Sequence, residues 1–327
     1  MNFFANFFAT NANAVFLAPM EEITDAPFRR ICKAMGADVL VSEFVSSEAL
    51  IRDVQKSFDK MAFDEIERPF GIQIFGHDEN SLVKAACVAE EQCPDFIDIN
   101  WGCPVKKIVA KGAGAAILRD IPKMVACTNA VVNAVKLPVS VKTRLGWDMN
   151  EKPIVSVAEQ LQDIGIQAIT IHGRTRSQIY SGVADWKLIG EVKSNPRIQI
   201  PVIGNGDINS GEKAVVFKQK YGVDALMVGR AAIGNPWIFK EIKCAFNNIS
   251  FTPPTIEDRI MILLKHIKNK ITLVGEKKTC LEIRRHYTGY FKGVNHFKKV
   301  RLELMKATTL EEIITILSNF QTASETL

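Results

Sequence analysis

Short apolar runs rich in Val, Ile and Phe recur along the first 230 residues. They are Val15–Met20, Val39–Phe44, Phe70–Phe75, Phe96–Trp101, Val139–Leu145, Ala168–Gly173, Pro201–Gly206 and Ala225–Gly229. Runs of this length without regular polar alternation suit strands buried on both faces. Stretches with helical periodicity lie between them; in Asn80–Gln92, for example, Leu82, Ala85, Ala86 and Ala89 share one side. Strand and helix alternating through eight units predicts a parallel sheet with right-handed crossovers. Eight units favour a closed (β/α)8 TIM barrel over a doubly wound open sheet. Past Gly234 the pattern changes, with chain breaks at Asn235-Pro236 and Thr252-Pro253-Pro254. One helical stripe then runs through Ile260, Leu263, Leu264, Ile267, Ile271 and Val274. A second runs through Leu310, Ile313, Ile314, Leu317 and Phe320, opened by the capping box Thr309-x-x-Glu312. A barrel over residues 1–245 and a C-terminal all-helical domain over 246–327 are therefore expected.

Composition narrows this picture. The 327 residues suit a barrel of about 250 residues plus an appendage, and 47% apolar content excludes a disordered chain. The seven cysteines are scattered without a CxxC pair, so neither a metal site nor a disulfide framework is indicated, and a reducing cytoplasm is the expected compartment. Met1–Ala14 is Phe-rich and ends in Ala-Asn-Ala. It lacks a positive charge before its apolar part, so it reads as mature protein rather than a secretory leader. No stretch is long and apolar enough to span a membrane.

The net charge of +5 is unevenly spread. Arg259–Lys306 holds 13 Lys and Arg against 3 acids, while the remaining 28 basic and 33 acidic residues sum to −5. That asymmetry suggests either a polyanion-binding tail or a solvated helical face.

Chemistry in such barrels sits at the C-terminal ends of the strands. Polar groups end seven of the runs: Ala18-Pro19-Met20-Glu21, Gln73 to Gly76, Asp98-Ile-Asn100-Trp-Gly-Cys103-Pro104, Lys142-Thr-Arg144, His172-Gly-Arg174, Gly204-Asn205-Gly206-Asp207 and Gly229-Arg230. The last two open loops before helices, after the seventh and eighth strands, where glycines and helix N-termini favour a phosphate. Arg230 would add a charged contact to it. Lys142 lies in an otherwise apolar strand, which fits either an internal ion pair or a cation against the electron-rich end of a reduced flavin. Gln73 could bond the pyrimidine edge of that ring, and His172 could serve flavin, phosphate or core. Cys103, in a mouth loop followed by Lys106, Lys107 and Lys111, suits delivery of a proton to carbon; nearby lysines would lower its pKa.

Taken in order, Ala18-Pro-Met20 with Thr24-Asp25, the Asp98–Lys107 string, Lys142-x-Arg144, His172-Gly-Arg-Thr-Arg176, Gly204-Asn-Gly-Asp207 and Gly229-Arg230 closely resemble the tRNA-dihydrouridine synthases. Arg284-Arg285-His286 and Tyr290-Phe-Lys-Gly293 look like the helical tRNA-binding domain of the bacterial B type. The resemblance implies FMN, reduced by NADPH (NADH being possible), and a tRNA partner. It implies FMN contacts from Pro19, Met20, Glu21, Gln73, Lys142, His172, Asn205, Gly206, Asp207, Gly229 and Arg230. Asn100, Arg144 and Arg176 fall where the family lines the uracil pocket, and Cys103 matches its general acid. Hydride would reach C6 of a uridine turned out of the tRNA, and Cys103 would protonate C5 to give 5,6-dihydrouridine. Arg284, Arg285, Lys298 and Lys299 would hold the RNA backbone of a tRNA bound to a monomer. Trp101 stands where family members usually have Met, and Glu21 where Ala is common. Two other readings compete: a dihydroorotate dehydrogenase-like FMN barrel acting on a free pyrimidine, and a non-catalytic RNA-binding barrel.

Overall fold

In the computed structural model, which describes residues 3–325, the apolar runs lie side by side as parallel strands. They are β1 (Ala14–Leu17), β2 (Leu40–Val41), β3 (Val45–Ser46), β4 (Phe70–Phe75), β5 (Phe96–Asn100), β6 (Val139–Arg144), β7 (Ala168–His172), β8 (Val202–Asn205) and β9 (Ala225–Val228). The order β1-β9-β8-β7-β6-β5-β4-β2 runs round a ring that the parallel bridge Phe16–Val39 closes. β2 falls within the second run and β3 directly follows it, and both pair with β4.

The first strand is shorter than the apolar run because Pro19 has no N–H for the ladder, and Met20 begins a turn. The Met20 carbonyl accepts from Ile23 and Thr24, and the Thr24 hydroxyl accepts from the Met20 N–H at 2.9 Å. Register sets the polar ends side by side: Asn100 pairs with Lys142, Arg144 with His172, and His172 with Asn205.

The Phe-rich start is a plug. Helix Phe3–Thr10 buries Phe4, whose ring lies 5.0 Å from Phe96, and Phe8 stacks on Phe16 at 6.2 Å. These rings meet the barrel-lining residues Val39, Val41, Ile203 and Ala225. Gly71 leaves the room this requires, since a Cβ there would stand 2.3 Å from the Phe96 ring.

Helix Ile238–Phe246 still buries Ile238, Phe239 and Ile242 in the barrel core. Trp237 instead joins a second core built from Leu263, Ile267, Tyr287, Tyr290, Ile313 and Leu317. Helices Ile256–Val274, Glu276–Glu282, Phe297–Leu304 and Leu310–Glu325 enclose it. The Thr309–Glu312 box forms as expected: the Glu312 N–H donates to the Thr309 hydroxyl at 3.2 Å, and the Thr309 N–H to the Glu312 carboxylate at 3.3 Å. This domain docks on helix Ala26–Ala34, just after β1. Phe28 stacks on His266 at 5.4 Å and meets His286 edge-on at 4.9 Å, while Lys270 pairs with Asp25 and Glu282.

Candidate active site

The polar strand ends surround a cavity of about 810 Å³ at the C-terminal mouth of the barrel. Pro19, Met20, Glu21, Asn100, Cys103, Lys142, Arg144, His172, Asn205, Gly206, Asp207, Gly229 and Arg230 all line it. One ring of eight strand ends brings together residues that lie far apart in the chain.

Cys103 is held from behind. The side-chain oxygen of Asn100 accepts from the N–H groups of Gly102 and Cys103, both at 2.9 Å, which folds the loop into a tight turn. The Asn100 amide donates to Gln73 at 2.8 Å. Gln73 donates to Asp98 at 2.5 Å, and Ser140 donates to the other Asp98 oxygen at 2.5 Å. Arg144 braces the same loop, donating to the Gly102 carbonyl at 2.7 Å and to the Thr175 and Ile179 carbonyls at 2.9 Å.

Burial pushes the Cys103 thiol above its ordinary value; the Val105 N–H, Arg144 and Lys142 offset only part of that, and Glu21 adds to it. The thiol is therefore protonated at neutral pH. The cations facing it are Arg144 and Lys142 rather than the loop lysines at 106, 107 and 111, so the expectation that those lysines tune it is corrected. Lys142 is itself brought down to about 8 by burial and by the Arg144 charge. It donates to Asn205 at 3.3 Å, and Asn205 donates to the Met227 carbonyl at 2.7 Å.

The loop after β9 leaves room where a ligand would approach, since a Cβ on Gly229 would meet only Ala18 and Met20 at ordinary contact distances. The loop after β8 is close-packed: Gly206, at φ +128, would carry a Cβ 2.8 Å from that of Ala184, and Asp207 follows at φ +54. The Asp207 carboxylate does not face the cavity as a free anion. Both its oxygens accept from Arg174 at 2.8 Å, one accepts from the Ala184 N–H at 2.8 Å, and Arg230 approaches at 3.1 Å. Partial burial works against that charge, but the Ala184 N–H and Arg174 outweigh it and hold the acid below the usual carboxylate range. Burial and the surrounding Arg144, Lys142, Arg174 and Arg230 keep His172 neutral well below its ordinary pKa.

Two expected residues lie off the cavity. Gln73 is wholly buried in the chain behind Cys103, and Arg176 stacks on Trp147 at 4.6 Å. Trp101 faces outward, donating to the Thr128 hydroxyl at 3.0 Å, so it does not shape the mouth. Tyr180, Phe44, Asn209 and Lys213 line the cavity without having been expected. Tyr180 lies 5.8 Å from the Arg144 guanidinium and 5.1 Å from that of Arg230. Lys213 carried a legible signal, as the third residue after the Ser210 N-cap of the helix following the phosphate-type loop.

The basic tail is only partly free. Arg284 donates to the Ala307 carbonyl at 3.4 Å inside the helical domain, and Arg285 pairs with Glu22 of the barrel at 2.6 Å. Of the four, Arg284 is the one turned into the helical domain, while Arg285, Lys298 and Lys299 are exposed.

Residues 16–326 match the family model described as dihydrouridine synthase (Dus). The chain is 39% identical over 293 residues to a tRNA-dihydrouridine synthase B of Pseudomonas aeruginosa, covering 88% of each chain. It is 38% identical over 289 residues to a probable tRNA-dihydrouridine synthase of Rickettsia conorii, covering 88% of this chain and 87% of that one. Among solved structures, a 2-naphthoyl-CoA reductase superposes at TM-score 0.54 with 10% identity, over 72% of this chain and 50% of its own. A histamine dehydrogenase from Rhizobium superposes at 0.51 with 12% identity, over 78% and 49%. At such identities the shared property is the barrel fold.

Proposed function

This chain belongs to the dihydrouridine synthase family, and on that footing we propose that it reduces a uridine of tRNA to 5,6-dihydrouridine, with FMN seated in the barrel mouth, NADPH as reductant and Cys103 as proton donor. The observation that carries this reading is the placement of the buried Cys103 thiol on a cavity whose far side is a pair of glycine-containing loops, the second ending in Arg230.

The residues present fit the flavin. Gly229 leaves space against the backbone, and Arg230 and Lys213 supply positive charge for a phosphate. Lys142, held at the mouth by Asn205, suits the electron-rich edge of the ring system. Bound and reduced, the flavin would supply the hydride equivalent. The chain's own part is to admit the base, orient it and protonate it. Asn100 and Arg144 fix the Cys103 loop, so the sulfur is aimed before substrate arrives. Cys103 gives its proton to uracil C5 as the hydride reaches C6, and the two additions balance to dihydrouracil. The thiolate left behind is neighboured by Arg144 and Lys142, which favour its charge. A stacked base cannot enter the mouth, so the uridine is turned out of the RNA. Seven unpaired cysteines support a reducing cytosol as the place of action.

Cys103→Ala separates the two half-reactions. Flavin content and NADPH oxidation are expected to stay at wild-type levels, while uridine reduction in tRNA, followed by mass spectrometry of nucleosides, falls by about 10²- to 10⁴-fold. Equal loss in both would make Cys103 a structural residue.

A further inference from the structure

The loop after β5 carries four cations that the site above does not use. Lys106, Lys107 and Lys111 are exposed on and just after helix Lys106–Val109, and Arg119 is exposed at the end of the 3-10 turn Gly114–Arg119. Among the described residues no carboxylate pairs with any of the four. The nearest acids in sequence are committed elsewhere: Asp98 accepts from Gln73 and Ser140, both at 2.5 Å, and Asp120 caps the next helix through the Lys123 N–H at 3.1 Å.

This segment is fastened to the Cys103 loop. The Ala115 N–H donates to the Cys103 carbonyl at 3.0 Å, and Gly114, at φ +58, would carry a Cβ only 2.9 Å from that oxygen. Trp147, after β6, then joins two guanidiniums: Arg119 lies 5.0 Å and Arg176 4.6 Å from its ring centroid. The Arg176 and Ser177 N–H groups donate to the Gly146 and Trp147 carbonyls at 2.9 Å, which zips the loops after β6 and β7 together. The Nε of Arg176 is buried without a partner.

The patch has a definite place on the ring. From β1 the order runs β9, β8, β7, β6 one way and β2, β4, β5, β6 the other, so β6 stands opposite β1. The helical domain docks beside β1 and β9, through Asp25 and Gly234. The cavity lies between domain and patch.

We propose that Lys106, Lys107, Lys111 and Arg119, with Trp147 and Arg176, form a second RNA-backbone surface that grips the strand across the mouth from the helical domain. The proposal rests on the tRNA reading above. A nucleotide rotated out of its stack leaves backbone on both sides, and contacts on one lobe alone let the other side swing. Unpaired lysines supply point charge for phosphates, and guanidiniums stacked on an indole keep their N–H edges available in a fixed plane. The phosphates of a nicotinamide coenzyme are the competing ligand. Cations strung along the loop after β5 and on to Arg176 after β7 suit an extended polyanion better than one compact pyrophosphate.

The test uses the full chain loaded with FMN, carrying Lys106→Ala, Lys107→Ala, Lys111→Ala and Arg119→Ala together. A companion variant with all three lysines changed to arginine controls for folding. tRNA affinity is measured across a series of salt concentrations, alongside the KM for NADPH. The alanine variant is expected to bind tRNA about 10- to 100-fold more weakly at low salt. Its salt slope should be shallower by about 3–4, at about 0.7–0.9 for each of four lost phosphate contacts, with the NADPH KM unchanged. The arginine variant should keep the wild-type slope. Wild-type affinity and slope in the alanine variant would overturn the proposal. So would a raised NADPH KM with unchanged tRNA binding, which would make the patch a coenzyme site. If the wild-type protein shows no salt-dependent tRNA affinity, the tRNA reading itself falls, and this inference with it.

Discussion

Cys103 shows how one environment sets one residue's chemistry. Its loop is pinned by Asn100, the residue is only 8% exposed, and burial outweighs the help of Arg144 and Lys142. A raised thiol pKa means less thiolate at any given pH, which suits an acid and hinders a nucleophile. In flavin-free protein, alkylation of Cys103 by iodoacetamide should therefore be slow at neutral pH. Its rate should keep climbing with pH past the point where free N-acetylcysteine levels off, as read by peptide mapping. A plateau for Cys103 at or below that of the free thiol would contradict the protonated-donor assignment. Lys142 works in the opposite sense: brought down to about 8, it carries its charge at neutral pH and loses it as pH rises through that value.

At the scale of elements, the helical domain meets the barrel through two glycines. A Cβ on Gly289, in helix Tyr287–Tyr290, would stand 1.8 Å from the Ile233 carbonyl oxygen. One on Gly234, at φ +64, would stand 2.1 Å from the His286 carbonyl oxygen. Backbone lies directly on backbone there, and no rotamer change can make room. Gly289→Ala is expected to cost at least the 1–3 kcal/mol typical of overpacking, seen as a lower urea midpoint. An unchanged midpoint would mean that the two segments can part freely. This contact was not legible in the Tyr-Thr-Gly-Tyr string, because a glycine needed for close approach looks the same as one needed for a turn.

Across the whole molecule, the two cores are tied by a buried charge cluster. Lys270 is 5% exposed and pairs with Asp25, which also caps helix Ala26–Ala34, and with Glu282 at 2.8 Å. Burial alone would lower the Lys270 pKa, but Asp25 and Glu282 together raise it above its ordinary value. Lys270→Met strands the Asp25 carboxylate at the interface and leaves Glu282 only the looser Lys278 pair at 3.8 Å, and is expected to cost about 3–5 kcal/mol in chemical denaturation. Adding Asp25→Asn and Glu282→Gln should recover part of that loss, because those charges are then gone. No recovery would show that Lys270 acts through packing alone. The same cluster explains why the +10 tail is not all available to RNA: part of its charge holds the domains together.

The sequence by itself determined the barrel, the order of its strands and most of the mouth. A doubly buried strand must be apolar along its length, so a polar residue at its end stands out, and Asn100, Cys103, Lys142, Arg144, His172 and Asn205 could be read off one by one. The motif order carried the family on the same residues. Only the tertiary structure decided which polar groups face the cavity and which are used up behind it. Gln73 joins Asp98 and Asn100, Asp207 is bound by Arg174, Arg285 is taken by Glu22, and Tyr180 enters from a loop with no pattern of its own. The physical reason is that a side chain's charge and hydrogen-bonding capacity are written in its type. Whether that capacity remains free depends on partners tens or hundreds of residues away, and packing alone brings those partners within reach.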